Sequence, residues 1–242
     1  MPDYRHQRNI CLGIVTFLII FNLYYFFIRK GVDPIHYIEK ISSKPSDRVE
    51  TFPFYQDLAN EYKILNQQYG RNPATVFLGD SITKRFNLCE FFEDPSILNR
   101  GIFSDTTHGV LLRLEENVNN LNVSKLFLLI GFNDLEFRNN NEIIQNIMKI
   151  LSKVQARKIF VQSLLPVRID KKGTNARIME INSELKKVCG EKGLSYIDLH
   201  SKFADIEGRM AKEYSSDGIH PNILGYKIWF KAIAPLVESR KN

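Results

Sequence analysis

The sequence predicts an α/β protein, a three-layer α/β/α sandwich with a central parallel sheet. From about residue 52 to the end of the chain, apolar segments of strand length alternate with amphipathic segments of helix length. This alternation is typical of a parallel sheet that is covered by helices on both faces. The candidate strand at residues 125–130 is continuously apolar, as expected for a central strand that is buried on both faces.

The predicted globular part begins with an amphipathic helix. Five tyrosine and leucine side chains recur at alternating spacings of three and four residues, which places them on one helix face: Tyr55, Leu58, Tyr62, Leu65 and Tyr69. Gly70 and Pro73 are expected to end this helix.

Strands and helices then alternate to the end of the chain. The predicted strands lie at residues 74–78, 96–98, 125–130, 158–163 and 194–198. The predicted helices lie around residues 110–114 and at residues 141–154, 177–189 and 222–237. No internal repeat and no low-complexity tract interrupts this order.

A separate apolar segment lies near the N-terminus. Residues 10–28 contain no charged side chain, and as a helix they would be about 28 Å long, close to the thickness of a bilayer core. Arg5 and Arg8 precede the segment, and Arg29 and Lys30 follow it. The sequence therefore predicts one uncleaved transmembrane helix, so that a lipid bilayer is an expected partner.

Two alternatives fit this segment less well. A cleavable signal peptide has a shorter apolar region and a small-residue cleavage site, which residues 28–31 do not offer. A buried core helix usually carries a polar stripe, whereas only Thr16 and Asn22 interrupt this segment.

The anchor divides the chain into four predicted parts. They are a short tail at residues 1–9, the transmembrane helix at residues 10–28, a polar linker at residues 29–51 and one domain at residues 52–242. Because the tail is short, we expect a single-pass protein with its N-terminus inside and its domain outside the cytoplasm, in the cell envelope or periplasm.

Charge and cysteine content exclude several classes of function. The net charge of +6 is modest, and the basic residues form no long run, so no nucleic-acid partner is expected. No metal cluster or dinucleotide fingerprint occurs, so no metal or cofactor is expected. Cys11 lies in the predicted anchor, while Cys89 and Cys189 form either a disulfide or two buried free thiols.

Three polar motifs follow three of the predicted strands. Ser81 follows the first strand, Gly101 the second and Asn133 the third. Ligands of open parallel sheets bind at the carboxyl ends of the strands, so these residues should meet there. An activated serine attacks carbonyl groups, while a glycine N–H and an asparagine amide stabilise the resulting oxyanion. Each residue also has an ordinary structural alternative: Ser81 could cap a helix, Gly101 could be a turn glycine and Asn133 could form an Asx turn.

A base and its orienting acid follow near the end of the chain. His220 lies three residues after Asp217 in a predicted loop, so the carboxylate can bind one ring nitrogen while the other faces the serine. His200, which follows a strand, is the second candidate base.

These motifs together resemble the SGNH hydrolase superfamily, also called GDSL-type esterases and lipases. The similarity covers about residues 74–237, and it lies in Gly-Asp-Ser-Ile from residue 79, Asn-Arg-Gly from residue 99, Gly-Phe-Asn-Asp from residue 131 and Asp-Gly-Ile-His-Pro from residue 217. The resemblance implies a flavodoxin-like sheet and the following roles: nucleophile Ser81, triad partners Asp217 and His220, oxyanion donors Ser81, Gly101 and Asn133, and a supporting role for Asp80.

The chain departs from acetylhydrolase-type relatives beside the second motif. Those relatives carry two small residues, one of them a glycine, where this chain has Phe103 and Ser104. The Phe103 ring either narrows the acyl pocket, which would favour acetyl groups, or points into the core.

We therefore expect a membrane-anchored serine esterase that acts on short acyl esters of envelope polysaccharide or lipid. Two alternatives remain at this stage. One is an O-acyltransferase that passes the acyl group to a carbohydrate from the same site, and the other is a catalytically degenerate envelope-binding module.

Overall fold

The computed structural model describes residues 53–69, 73–170 and 173–238. In these residues the sheet has five parallel strands in the order β2-β1-β3-β4-β5. The strands are β1 (Pro73–Gly79), β2 (Ile97–Gly101), β3 (Asn122–Leu129), β4 (Ala156–Gln162) and β5 (Ser195–Ile197). The predicted parallel sheet is confirmed, with β1 and β3 near its centre.

Helices connect the strands and cover the sheet. They are α1 (Pro53–Tyr69), α2 (Ser81–Lys84), α3 (Leu88–Phe92), α4 (Thr107–Leu114), α5 (Asn140–Lys153), α6 (Thr174–Lys192), α7 (His200–Phe203) and α8 (Ile223–Val237). The long helices match the predicted ones. The helices α3 and α7 were not predicted, because a helix of four or five residues is too short to show a 3.6-residue period.

The two faces of the sheet pack against different apolar cores. Alternate side chains of β3 point to opposite faces, as the strand period of two requires. Leu126 and Leu128 pack with side chains of α4, α5 and α6, whereas Phe127 packs with α8 around Trp229. Helices on both faces make the predicted three-layer sandwich.

Phenylalanine rings stack across the centre of the sheet. Phe77, Phe127 and Phe160 are register partners on β1, β3 and β4. Their ring centroids lie 4.7 Å and 4.5 Å apart, and the rings are nearly parallel. Since cross-strand aromatic pairs stabilise a sheet beyond the area that they bury, this row fixes the register of the strands that lead to the predicted site.

One buried lysine links the middle of the sheet to the last helix. Lys125 on β3 is 8% exposed. Its Nζ donates to the carbonyl oxygens of Leu236 and Val237 at 2.6 Å and 2.8 Å. The ammonium thereby ties the last turn of α8 to the middle of the sheet.

Several predictions concern residues outside the described part. The tail, the predicted anchor at residues 10–28 and the linker lie there, and so does Cys11. Among the described residues, no helix combines the length and the apolar character that crossing a membrane requires. Cys89 and Cys189 are free thiols, so the disulfide alternative is wrong, and Cys89 is exposed rather than buried.

Candidate active site

The nucleophile candidate lies where β1 meets α2. Ser81 is the first residue of α2, and Asp80 is its N-cap, with Oδ1 accepting the Ile82 N–H at 2.9 Å. Ser81 is therefore not the capping residue, which removes its structural alternative. Its own N–H belongs to the first helical turn, where backbone donors lack an intrahelical acceptor. The hydroxyl and this N–H both lie at the carboxyl end of β1.

The structure joins Ser81 to the predicted base and acid. Ser81 Oγ lies 2.9 Å from His220 Nε2, and His220 Nδ1 lies 2.7 Å from Asp217 Oδ2. An ionised carboxylate only accepts hydrogen bonds, so Nδ1 carries the proton and Nε2 is the acceptor that faces the serine hydroxyl. This is the arrangement in which a histidine removes the proton of an attacking serine.

The loop of residues 215–221, called here the acid–base loop, is held mainly by bonds within itself. Asp217 Oδ1 accepts the backbone N–H groups of Ile219 and His220 at 2.9 Å and 2.8 Å. Ser215 Oγ accepts the N–H of Gly218, whose φ of +81° favours glycine. Partial burial raises the pKa of Asp217, but the hydrogen bonds from His220 and Ile219 outweigh it and hold that pKa well below its usual range.

The second candidate base lies elsewhere. His200 begins α7 and is buried, and its backbone N–H donates to Ser163 Oγ at 2.7 Å. Burial lowers the pKa of its imidazole. Of the two candidate bases, His220 is the one that bonds to the Ser81 hydroxyl.

Asn133 lies at the carboxyl end of β3, at the start of a short 3₁₀ helix (Asn133–Glu136). Its Nδ2 donates to the Asp105 carbonyl oxygen at 2.9 Å. An amide nitrogen has two hydrogens, so this bond fixes the side chain and leaves one donor. The arrangement suits the predicted oxyanion role of the Asn133 amide.

Gly101 does not fit its predicted role. Its N–H donates to Asn99 Oδ1 at 2.9 Å, so this donor is already satisfied. A Cβ at position 101 would lie 2.4 Å from the Lys84 nitrogen. The glycine is needed because β2 and α2 approach each other closely there. Its assignment as an oxyanion donor is therefore not supported.

A turn follows Gly101 at Phe103 and Ser104, and the sequence motifs give Ser104 no catalytic role. The Asp105 N–H donates to the Ile102 carbonyl oxygen at 3.2 Å, which closes a turn with Phe103 and Ser104 at its tip. Ser104 is exposed and has a φ of +61°, a region that non-glycine residues rarely adopt. One signal in the sequence could have indicated this turn: the relatives carry a glycine at one of the positions of Phe103 and Ser104, and glycine adopts positive φ readily. Phe103 is 39% exposed, so the alternative that its ring points into the core is wrong.

A buried ion pair supports this turn. Asp105 and Arg113 are both buried, with Asp105 Oδ2 2.7 Å from Arg113 Nη2 and 2.9 Å from Nε. Burial raises the pKa of Asp105 to about 6, although Arg113 opposes the shift. Burial also raises the pKa of Asp80 to about 7, against the Ile82 N–H bond that lowers it. Asp80 Oδ2 has no hydrogen-bond partner among the described residues.

Comparison with known proteins shows the family of the chain. The family model of the GDSL-like lipase/acylhydrolase family matches residues 77–228, which is more than half of the chain. A search of curated proteins gives no significant match.

Solved structures share the fold. A protein of Streptococcus pneumonia assigned as a platelet activating factor is 27% identical, with a TM-score of 0.68 over 75% of this chain and 92% of that one. A GDSL-like lipase of Bacteroides thetaiotaomicron is 23% identical, with a TM-score of 0.66 over 76% and 97%. An acetylxylan esterase of Geobacillus stearothermophilus is 17% identical, with a TM-score of 0.58 over 70% and 95%. The chain belongs to the GDSL-like lipase/acylhydrolase family, and it is an ester hydrolase of the GDSL type.

Proposed function

We propose that the protein is a membrane-anchored serine esterase that removes short acyl groups, such as acetyl groups on envelope polysaccharide or lipid-derived esters. The observation that carries the catalytic part of this proposal is the continuous hydrogen-bonded chain from Ser81 Oγ through the His220 ring to Asp217. The same intact chain argues against a degenerate binding module.

The reaction follows from the positions of these groups. Ser81 Oγ attacks the ester carbonyl carbon while His220 Nε2 takes the hydroxyl proton. Asp217 holds the imidazole in the required tautomer and stabilises the imidazolium that forms. His220 then gives the proton to the leaving alcohol. A water molecule, activated by the same ring, hydrolyses the acyl-enzyme and releases the acid.

The tetrahedral intermediate needs donors for its oxyanion. The Ser81 N–H and the second hydrogen of the Asn133 amide are two of them. We assign the third to the Ser104 N–H in place of Gly101, because Ser104 lies at the tip of the turn whose Asp105 carbonyl holds Asn133. Each such donor is worth about 3–4 kcal/mol of transition-state stabilisation.

The choice of a short acyl group rests on Phe103. Its ring lies at the surface next to Ser104, where acetylhydrolase-type relatives carry a small residue, so it would shorten the space for an acyl chain. The fold is also shared by an acetylxylan esterase. An anchor at residues 10–28, with the domain outside the cytoplasm, would bring the site to envelope esters.

The proposal is tested with the full chain in detergent and the variant Ser81→Ala. We expect a loss of turnover of about 10⁴-fold or more on p-nitrophenyl acetate, and loss of fluorophosphonate labelling, because Ser81 Oγ is the hydroxyl that bonds to His220 Nε2. Ser201→Ala, which changes an exposed serine on α7, is the matched control and should retain full activity.

Two outcomes would contradict this proposal. Wild-type activity in the Ser81→Ala variant would remove the catalytic assignment. In a series of acyl chains from acetyl to palmitoyl, a preference for the longest would contradict the short-acyl assignment.

A further inference from the structure

Helix α1 lies outside the segment that the family model matches, which begins at residue 77. It nevertheless reaches the residues that hold the predicted oxyanion donor. Tyr55, in its first turn, is 3% exposed, and its hydroxyl donates to Asp105 Oδ1 at 3.2 Å. Fifty positions in sequence separate these two residues.

Several hydrogen bonds fix Asp105, and one of them is donated by the Thr106 N–H to Oδ1 at 2.9 Å. Arg113 binds Oδ2 through two nitrogens, Tyr55 binds Oδ1, and the backbone carbonyl accepts the Asn133 amide at 2.9 Å. The acceptor that orients Asn133 is the Asp105 backbone carbonyl, so a shift of the Asp105 backbone would move it.

Arg113 connects the same carboxylate to the two strands beside the site. Its Nη2 donates to the Arg100 carbonyl oxygen at 2.8 Å and to the Gly79 carbonyl oxygen at 3.2 Å. Gly79 is two residues before Ser81 in the chain. One buried ion pair thus joins the ends of β1 and β2 to the turn of residues 102–105.

We propose that Tyr55 is a positioning residue for the oxyanion site, acting through Asp105 on the Asn133 amide. The inference rests on the proposed function, since it assumes that Asn133 donates to the oxyanion. Under it, the first helix of the domain, α1, helps to position the catalytic groups.

Other bonds hold α1 in place without the Tyr55 hydroxyl. The Tyr62 hydroxyl donates to the Gly101 carbonyl oxygen at 2.7 Å. Asn66 donates to the Glu116 carbonyl oxygen, and Asn117 donates to the Ala59 carbonyl oxygen. Removing only the Tyr55 hydroxyl should therefore leave the helix and the buried ring where they are.

The test compares Tyr55→Phe with the wild type as full chains in detergent, on p-nitrophenyl acetate. We expect kcat to fall about fivefold and KM to stay within about twofold, because a small displacement of a donor weakens transition-state binding more than substrate binding. The bond of 3.2 Å is long for a hydroxyl donor, which keeps the expected effect moderate.

Tyr69→Phe is the matched control. Tyr69 is the last residue of α1, and its ring lies near the Arg100 guanidinium. Within the described residues its hydroxyl has no hydrogen bond, so its removal should leave kcat unchanged.

A double-mutant cycle with Asn133→Ala separates positioning from a general loss of structure. If Tyr55 acts through Asn133, then Tyr55→Phe should cause no further loss of kcat in the Asn133→Ala background. Equal activity of Tyr55→Phe and wild type would overturn the inference, and so would a fivefold loss that persists without Asn133. If the proposed function itself is wrong, the result is different, because fluorophosphonate would then not label Ser81 in the wild type.

Discussion

The two halves of the candidate site are built in different ways. In the acid–base loop, hydrogen bonds among residues at most five positions apart orient Asp217 and His220. On the oxyanion side, the bonds join residues 8 to 50 positions apart, and most of their atoms are buried. Because these bonds are local, the geometry of the acid–base loop is set by the loop's own sequence. Because the bonds on the oxyanion side are long-range and buried, the oxyanion donors reach their positions only when the strands and helices around them are folded together.

The two halves also treat aspartate differently. Asp217 is half exposed and accepts several hydrogen bonds, so its pKa is lowered and it remains ionised. Asp80 is fully buried with one oxygen unpartnered, so its pKa is raised to about 7. The Asp217 carboxylate thus stays charged, as catalysis requires. The Asp80 carboxyl lies where burial makes its charged form unfavourable.

The largest effect is expected from Asp217→Asn. The amide would donate a hydrogen to His220 Nδ1 and force the proton onto Nε2, so that the ring cannot accept from Ser81. We expect kcat to fall on the order of 10³–10⁴-fold while the melting temperature changes little. Asp198→Asn, another exposed carboxylate that accepts a backbone N–H, is the control. A fall in kcat of less than tenfold would show that Asp217 does not set the tautomer of His220.

A smaller kinetic effect is expected from Asn133→Ala. The substitution removes the amide donor and the bond to Asp105, so kcat should fall roughly 100-fold or more with a smaller change in KM. Asn146→Ala, which removes a half-buried amide bonded to Thr107 on the neighbouring helix, is the control. Unchanged kcat in Asn133→Ala would mean that the oxyanion relies on backbone donors alone.

The third prediction concerns stability. The folded-state pKa of Asp80, about 7, lies above the ordinary value of 3.8, so wild type loses stability as pH rises from about 4 to above 7. Asp80→Asn cannot ionise, and it should gain roughly 2–4 kcal/mol relative to wild type at pH 8. Near pH 4 it should gain almost nothing. Thermal melts at both pH values give the comparison.

The control for this prediction is Asp94→Asn. Asp94 Oδ1 also accepts the N–H two residues on, but its side chain is exposed, so its variant should show no pH-dependent gain. A stability difference between Asp80→Asn and wild type that is equal at both pH values would contradict the burial of an ionisable group.

The same contrast explains what the sequence could predict. The pairing of His220 with Asp217 needs only a spacing of three residues, and Ser81 and Asn133 follow apolar strands that alternation reveals. For Gly101, the sequence does not show that its N–H bonds to Asn99 or that the Lys84 backbone lies against it, and these two contacts leave its predicted role unsupported. The Asp105–Arg113 pair was missed because its function depends on contacts with β1, β2 and α1 that no local pattern records.

The Lys125 ammonium has a practical consequence for shortening this protein. Two carbonyl groups among the described residues accept from it, those of Leu236 and Val237 in the last turn of α8. Deletion from Leu236 onward would remove these two acceptors from a buried cation and weaken the contact between the sheet and α8. Expression plasmids should therefore encode at least residue 238, and a purification tag is best fused beyond that point.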